Sequence, residues 1–179
     1  MIRRSDGARD ADWIRRTAAT VYAELGDYGR IIPTWMGHAG VMTFVEMADE
    51  DAGGETRRGF ILIGFYEPEP GDLSRGLLVA DLLAIAVSPE HQRRGVGRTL
   101  LEFAVDVATE ASRQAPVREI RLTVAETNRP ALALFKNSGF EILDPHHGAY
   151  DGGQRALRMR RRISTGASES DTRPIRRGS

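Results

Sequence analysis

Val87-Ser88-Pro89-Glu90-His91-Gln92-Arg93-Arg94-Gly95-Val96-Gly97-Arg98 is the stretch on which the reading of this 179-residue chain turns. On its N-terminal side lies an apolar run, Leu77 to Val87, interrupted by Asp81 alone. On its C-terminal side Leu100, Leu101, Ala104, Val105 and Ala108 recur at helical spacing between Thr99 and Arg113. A buried strand therefore passes through a glycine-containing loop into an amphipathic helix. The first N–H groups of such a helix have no intrahelical partner, and its dipole favours a negative charge there. Gly95 and Gly97 lack Cβ atoms, so an anion can approach the main chain closely. Arg93, Arg94 and Arg98 add charge nearby, and the stretch reads as a cradle for a pyrophosphate. A strand-to-helix turn whose glycines only permit tight packing is the alternative these residues leave open. A P-loop is excluded because no Gly-x-x-x-x-Gly-Lys-Ser/Thr string occurs, and Leu100 stands where a dinucleotide fingerprint needs a third small residue.

Working outward, Leu77–Val87, the helix and the alternating strand Glu119–Val124 form a βαβ unit, so its two strands are expected to lie parallel. Upstream, Val41–Met47 and Gly59–Tyr66 read as strands of an antiparallel meander, joined through the acidic turn Asp49–Gly54 and followed by Pro68, Pro70 and Gly71. Ile2–Arg4 is a further strand candidate. Asp10-Ala11-Asp12 offers N-cap chemistry for a helix over Trp13–Leu25, ended by Gly26. Residues 26–40 form an aromatic-rich connection with room for a short helix. Downstream, Pro130–Asn137 is a second short helix closed by Ser138-Gly139. Phe140–Leu143 and Ala156–Ile163 are strands. The expected fold class is α/β in the broad sense, an α+β mixed sheet with an antiparallel first half and helices on both faces. Residues 1–163 form one domain, and the polar stretch 164–179 is expected to be a disordered tail.

Composition narrows the function classes. The 25 basic and 25 acidic side chains balance, which gives no overall pull toward nucleic acid or an anionic membrane. No cysteine is present, so disulfides, thiolate zinc sites and a cysteine nucleophile are ruled out. The four histidines show no HExxH spacing, and no metal is expected. No apolar run approaches the ~20 residues of a membrane span, and Met1–Asp6 is not followed by a signal-peptide core. A soluble cytoplasmic domain is the expectation. Among the basic residues Lys136 is the sole lysine, consistent with a GC-rich genome.

The flanks of the glycine loop carry a resemblance. Gln92-Arg93-Arg94-Gly95-Val96-Gly97 resembles the Gln/Arg-x-x-Gly-x-Gly/Ala signature of the GCN5-related N-acetyltransferases (GNAT), and Ile85–Pro89 resembles the strand and turn that carry it. Asn128-Arg129-Pro130-Ala131-Leu132-Ala133-Leu134-Phe135-Lys136-Asn137-Ser138-Gly139-Phe140 is similar to a second motif of that family. The resemblance spans roughly residues 1–163. It implies the GNAT acyl-CoA N-acyltransferase fold and acetyl-CoA as the acyl donor. It further implies that Ile85, Ala86 and Val87 pair with the pantetheine arm through their main chains. The loop of Arg93, Arg94, Gly95, Val96, Gly97 and Arg98 would hold the pyrophosphate. Asn128 would contact the donor near its reacting end, and the N–H of Val87 would polarise the thioester carbonyl.

Acyl transfer to nitrogen needs a neutral amine. A lysine-like amine of pKa about 10.4 is neutral in about one molecule in a few thousand at pH 7, so a base matters. Asp81 is the leading candidate. A lone carboxylate in a buried strand is costly unless paired or functional. It lies eleven residues before Gln92, where histone-acetyltransferase members of the family place a catalytic glutamate. Its alternative is an ion pair with an arginine. Two positions depart from the family pattern. Phe135 stands where many members carry a proton-donating tyrosine, and Thr123 where N-terminal ribosomal-protein acetyltransferases carry a glutamate base. Glu126 and Tyr150 are the candidates to compensate, although both also read as surface-loop residues. An acceptor pocket is expected from Tyr28, Ile31, Trp35, Met36, His38 and the strand bearing Phe44 and Glu46.

The expected function is transfer of an acetyl group to a primary amine of a small molecule, peptide or protein by direct attack. A non-catalytic acyl-CoA sensor is the alternative, motivated by Phe135 and Thr123. Nucleic-acid binding through the five arginines between Arg155 and Arg162 is disfavoured by the neutral charge and the strand-like alternation. The partners expected are an amine acceptor and, as an open alternative, a second copy of the chain.

Overall fold

The computed structural model describes residues 1–48, 56–68 and 77–163. Seven strands and four α-helices follow one another as β1 (Ile2–Arg4), α1 (Gly7–Val21), α2 (Tyr28–Met36), β2 (Val41–Met47), β3 (Arg57–Tyr66), β4 (Leu78–Val87), α3 (Val96–Ser112), β5 (Val117–Ala125), α4 (Arg129–Asn137), β6 (Glu141–Asp144) and β7 (Ala156–Arg162). The spatial order in the sheet is β1-β2-β3-β4-β5-β7-β6. Neighbours are antiparallel except β4 and β5, which run parallel across α3 as the βαβ reading requires. The Asp49–Gly54 turn, Pro70, Gly71 and residues 164–179 lie outside the described residues.

Two apolar layers sandwich the sheet. Ile14 and Ala18 of α1 and Ile32 of α2 pack on Val45, Met47, Phe60, Leu62, Ala84 and Ala86. Leu100, Leu101, Ala104, Val105 and Ala108 of α3, with Leu132 and Phe135 of α4, pack on the opposite face against Ile61, Ile63, Ala80, Leu82, Ile120 and Leu122. Adjacent residues of β3 thus serve opposite cores, which explains its unbroken buried run from Gly59 to Gly64.

Helix α1 begins six residues earlier than its apolar spacing suggests. Asp6, not Asp10, is the N-cap, its side chain accepting from Ala8 N–H. Asp10 is turned inward and fully buried. It accepts from Arg3 at 2.7 Å, from Arg57 Nε at 2.8 Å and from Asp6 N–H at 2.9 Å. The carboxylate that looked like a cap instead ties β1, α1 and β3 together. The helix also stops at Val21 with Tyr22 as C-cap, short of Gly26. The aromatic connection contains the nine-residue α2.

One irregularity positions the functional region. The β3–β4 register skips between Leu62↔Ala84 and Ile63↔Leu82, leaving Leu83 surplus. Leu83 and Ala84 consequently both face the α1/α2 layer, whereas Leu82 and Ile85 face α3. A bulge of this kind bends its strand and ends regular pairing. The last β4–β5 pair is Leu82↔Leu122, and beyond it the two parallel strands splay apart.

Candidate functional site

The splay exposes main-chain groups of β4 that would otherwise pair with β5. Ile85 turns both its N–H and its C=O into the opening, where they meet the hydroxyl of Tyr22 at 3.0 and 2.7 Å. Val87, two residues on, has the same orientation, and its carbonyl accepts from Gln92 Nε2 at 3.1 Å. Ala86 belongs to the alternate set of groups, directed at β3, where it pairs with Phe60. Ile85 and Val87 therefore direct main-chain groups into the opening, where side chains and not a strand meet them, and Ala86 does not.

After β4 a single 3₁₀ turn, Pro89–His91, leads into the glycine loop. Arg93 has φ 61° and Gly95 φ 85°, so the chain is twice in the left-handed region within three residues. The first α3 bond runs from Thr99 N–H to Gly95 C=O, leaving the N–H groups of Val96, Gly97 and Arg98 without intrahelical acceptors. A Cβ on Gly95 would meet nothing within 4 Å, so the space over the loop is open. The Arg93, Arg94 and Arg98 side chains are exposed around it. These residues fit a pyrophosphate by backbone donors and open access.

Between the splayed strands lies a narrow cavity of about 70 Å³, lined by Tyr22, Tyr28, Ile85, Asn128, Phe135 and Tyr150 among others. Asn128 caps α4 through its Oδ1, which accepts from Ala131 N–H at 3.1 Å, and so reaches the cavity from a fixed position. A second cavity of about 310 Å³ shares Tyr28, Leu82, Leu83, Thr123 and Tyr150 with the first and adds Trp35, Asp81, His147 and Arg158. A wider one of about 630 Å³ continues from Asp81, His147 and Arg158 toward Tyr66, Glu67 and Asp144. The opening between β4 and β5 thus borders, through shared wall residues, a larger space that holds the Asp81 carboxylate and reaches toward the surface.

Asp81 is paired. Arg158 of β7 reaches across β5, donating from Nη2 to Asp81 Oδ2 at 2.6 Å and from Nη1 to Thr123 Oγ1 at 3.0 Å. The two side chains are 14% and 19% exposed, so solvent screens the contact weakly. Burial pushes the Asp81 carboxyl above its ordinary value, against the pull of the Arg158 guanidinium. Asp81 is thus paired with an arginine, the alternative its sequence left open, and it also lines the second cavity.

The other candidates separate. Glu126 pairs with Arg155 at 2.8 Å, and that bond holds its carboxyl below the ordinary value. It does not line any of these three cavities. Tyr150 lines two of them, and burial pushes its phenol above the ordinary value. Tyr28 and Trp35 line the second cavity, their rings edge to face at 6.0 Å. Glu46 is 2% exposed and bonded to Arg58, at the Val87 end of the sheet through the Glu46↔Gly59↔Val87 register. Phe44 packs on Phe103 of α3, on the opposite face. Met36 joins the α1/α2 core and His38 is exposed. Of the residues expected to form an acceptor pocket, Tyr28 and Trp35 line these cavities, and Ile31, Met36, His38 and the β2 residues do not. Among the described residues no cluster of three or more potential metal ligands occurs, and no helix is long and apolar enough to cross a membrane.

Sequence reasoning missed Tyr22 and Arg158. Tyr22 looked like one more position on the apolar face of α1. The signal lay in its hydroxyl, which needs a partner once buried.

The mixed sheet is thus splayed beside a bulge, with a helix N-terminus near the mouth of the splay and cavities behind it. A family model described as the Acetyltransferase (GNAT) family matches residues 11–140, and the chain belongs to that family. It is 36% identical over 88 residues to the [ribosomal protein bS18]-alanine N-acetyltransferase of Escherichia coli (strain K12), covering 48% of this chain and 57% of that protein. It is 28% identical over 120 residues to the N-alpha-acetyltransferase daf-31 of Caenorhabditis elegans, covering 66% of this chain and 62% of that protein. These matches span less than two thirds of either relative. The crystal structure of Arabidopsis thaliana NAA60 in complex with a bisubstrate analogue superposes with a TM-score of 0.74 at 16% identity, over 92% of this chain and 99% of that one, a likeness of fold.

Proposed function

We propose that the protein is an acetyl-CoA-dependent N-acetyltransferase that transfers the acetyl group to a primary amine by direct attack. The carrying observation is the opening between β4 and β5, where Ile85 and Val87 direct main-chain groups beside a cavity whose neighbour, sharing five wall residues with it, holds a carboxylate. When bound, acetyl-CoA supplies the activated acyl group. Gly95, Val96, Gly97 and Arg98 hold its pyrophosphate through main-chain donors, with Arg93 and Arg94 adding charge. Ile85 and Val87 pair with the pantetheine arm, and Asn128 contacts it from the head of α4. Of the two N–H groups directed into the opening, that of Ile85, held by the Tyr22 hydroxyl in the free protein, belongs to a residue lining the inner cavity and is the better placed to polarise the acyl carbonyl; Val87 lies farther out along the strand. Asp81 takes the amine proton.

Phe135 cannot donate a proton, and the raised phenols of Tyr22 and Tyr150 make them weak acids. The thiolate accordingly leaves as such or takes its proton from water. Thr123 is committed to Arg158, which separates this site from one with a glutamate at that position. The relatives named above act on protein N-terminal amines, and the reading here includes small-molecule amines. Measuring acetyl-CoA binding by calorimetry together with thiol release over amine, peptide and protein panels tests it, with acceptor-dependent release expected. The Asp81–Arg158 pair also gives a sensor reading some support, since it partly neutralises the base. Tight binding with no turnover on any acceptor would favour the sensor.

A further inference from the structure

The cavity that borders the inner opening contains two opposite charges side by side. Asp81 uses Oδ2 for Arg158, and its Oδ1 has no hydrogen bond among the described residues. Arg158 spends one N–H on Asp81 and one on Thr123, and its guanidinium carries five. Unused donors and an unused acceptor thus sit next to each other on the wall of a space of about 310 Å³. That volume is at the lower end of the roughly 300–1,000 Å³ typical of small-molecule sites. The charged groups lining it are Asp81 and Arg158, which cancel, and the His147 imidazole lines it as well. A wall of this kind does not select a simple cation. A lysine side chain or a polyamine would engage Asp81 Oδ1 alone and leave the unused guanidinium donors idle.

We propose that the acceptor is a free α-amino acid, its ammonium group addressed to Asp81 Oδ1 and its carboxylate to the unused N–H groups of Arg158. An α-amino acid carries its two opposite charges on groups bonded to the same carbon, and the Asp81–Arg158 pair presents two opposite charges in contact at 2.6 Å, so the two dipoles can lie head to tail. Guanidinium matches carboxylate geometry through paired N–H donors. Tyr28 and Trp35, on the same cavity, supply an apolar wall for the side chain. This assignment rests on the acetyl-transfer reading and narrows its acceptor. In the reaction, Asp81 takes one ammonium proton. The freed nitrogen then attacks the acyl carbon, the C–N bond forms and the C–S bond breaks. The second proton lost by nitrogen goes to the departing sulfur or to water.

The test compares kcat/KM for the common L-amino acids, their α-amides, the corresponding decarboxylated amines and Xaa-Ala-Ala peptides. Acetyl-CoA affinity is measured in parallel by calorimetry. At least one free amino acid should exceed its own amide by at least about 30-fold, the loss expected when a buried charge pair is truncated. Arg158→Met leaves Asp81 buried without a partner and is prone to misfold, so Arg158→Lys is the informative variant. It keeps the positive charge and loses the planar donor pair. It should retain a melting temperature within a few degrees of wild type, and its acid-to-amide preference should fall by about tenfold or more, through KM. Equal or better turnover of amides, amines or peptides would overturn the amino-acid assignment and leave acetyl transfer standing. An unchanged acid-to-amide ratio in folded Arg158→Lys would overturn it as well. Acetyl-CoA binding without transfer to any amine would remove both.

Discussion

The hydroxyl of Tyr22, at the end of α1, donates to the carbonyl of Ile85 and accepts from its N–H, closing a two-point contact with a residue 63 positions away. It fills the place on β4 that the splayed β5 leaves vacant. On the proposed function a bound donor needs the same groups, so Tyr22 and acetyl-CoA compete.

Replacing Tyr22 with Phe sharpens that competition. The free protein loses two hydrogen bonds to buried main-chain groups and should be less stable by about 1–3 kcal/mol. The donor-bound protein does not use those bonds, so by linkage acetyl-CoA should bind more tightly, by roughly tenfold. Thermal unfolding and calorimetry on Tyr22→Phe check the two halves. Weaker acetyl-CoA binding would show that the hydroxyl assists the donor instead of standing in for it.

Asp81→Asn separates a base from a structural anion. A lost general base costs about 10²–10⁴-fold in rate. Because burial raises the Asp81 carboxyl above its ordinary value of 3.8, wild-type turnover should fall as pH drops toward that raised value, when the base becomes protonated. The variant should lack this acid limb and recover activity at high pH as the amine deprotonates unaided. Near-normal turnover at pH 7 with a lowered melting temperature would assign Asp81 to structure alone.

The two loop glycines should respond in opposite ways. Gly95 lies at φ +85°, so Gly95→Ala should cost about 1–2 kcal/mol of stability although its Cβ meets nothing. A Cβ on Gly97 meets Leu134 Cδ2 at 3.6 Å and Val87 Cγ2 at 3.7 Å, ordinary contacts. Gly97→Ala should therefore be neutral or stabilising by up to about 1 kcal/mol. The larger Gly97→Val should fold and bind CoA about tenfold less tightly, a loss near 1.4 kcal/mol. Unchanged CoA affinity in that variant would dismiss the loop as the pyrophosphate site.

Acid should loosen the N-terminal corner first. Burial by itself would raise the Asp10 carboxyl, but the hydrogen bonds from Arg3 and Arg57 outweigh it and hold the group well below 3.8. A carboxyl depressed on folding contributes stability that is full above its unfolded value and is lost as pH falls through the folded one. The melting temperature should therefore decline as pH is lowered from about 4. Asp10→Ala removes the buried carboxylate that Arg3 and Arg57 share and should cost about 3–5 kcal/mol at neutral pH while flattening that decline. An acid profile identical to wild type would mean that other carboxylates set it.

The sheet, its parallel pair and the glycine loop were legible because alternation, amphipathic spacing and loop residues all act locally. What escaped was tertiary. Asp10 has the composition and position of a cap, and only Arg3 and Arg57, brought in by β1 and β3, turn it inward. Arg158 sits in an arginine-rich alternating strand and read as part of a solvated face; its reach to Asp81 depends on β7 lying beside β5. The Leu83 irregularity was invisible because Leu82, Leu83 and Ala84 are all apolar, and an apolar run conceals a break in its own phase.

That concealed break gives the site an unusual dependence. Its opening comes from chain length, from one residue too many between Leu82 and Ala84, and from no reactive group. Deleting Leu83 would leave the register from Ala84 to Val87 with β3 as it is, straighten β4, and let β5 zip onward past Leu122 until Ile85 bonded to it. Every side chain in the proposed chemistry would survive, and the donor would have nowhere to lie. The function is encoded here by counting, so substitution scans that keep the chain length constant would never find the position on which entry depends.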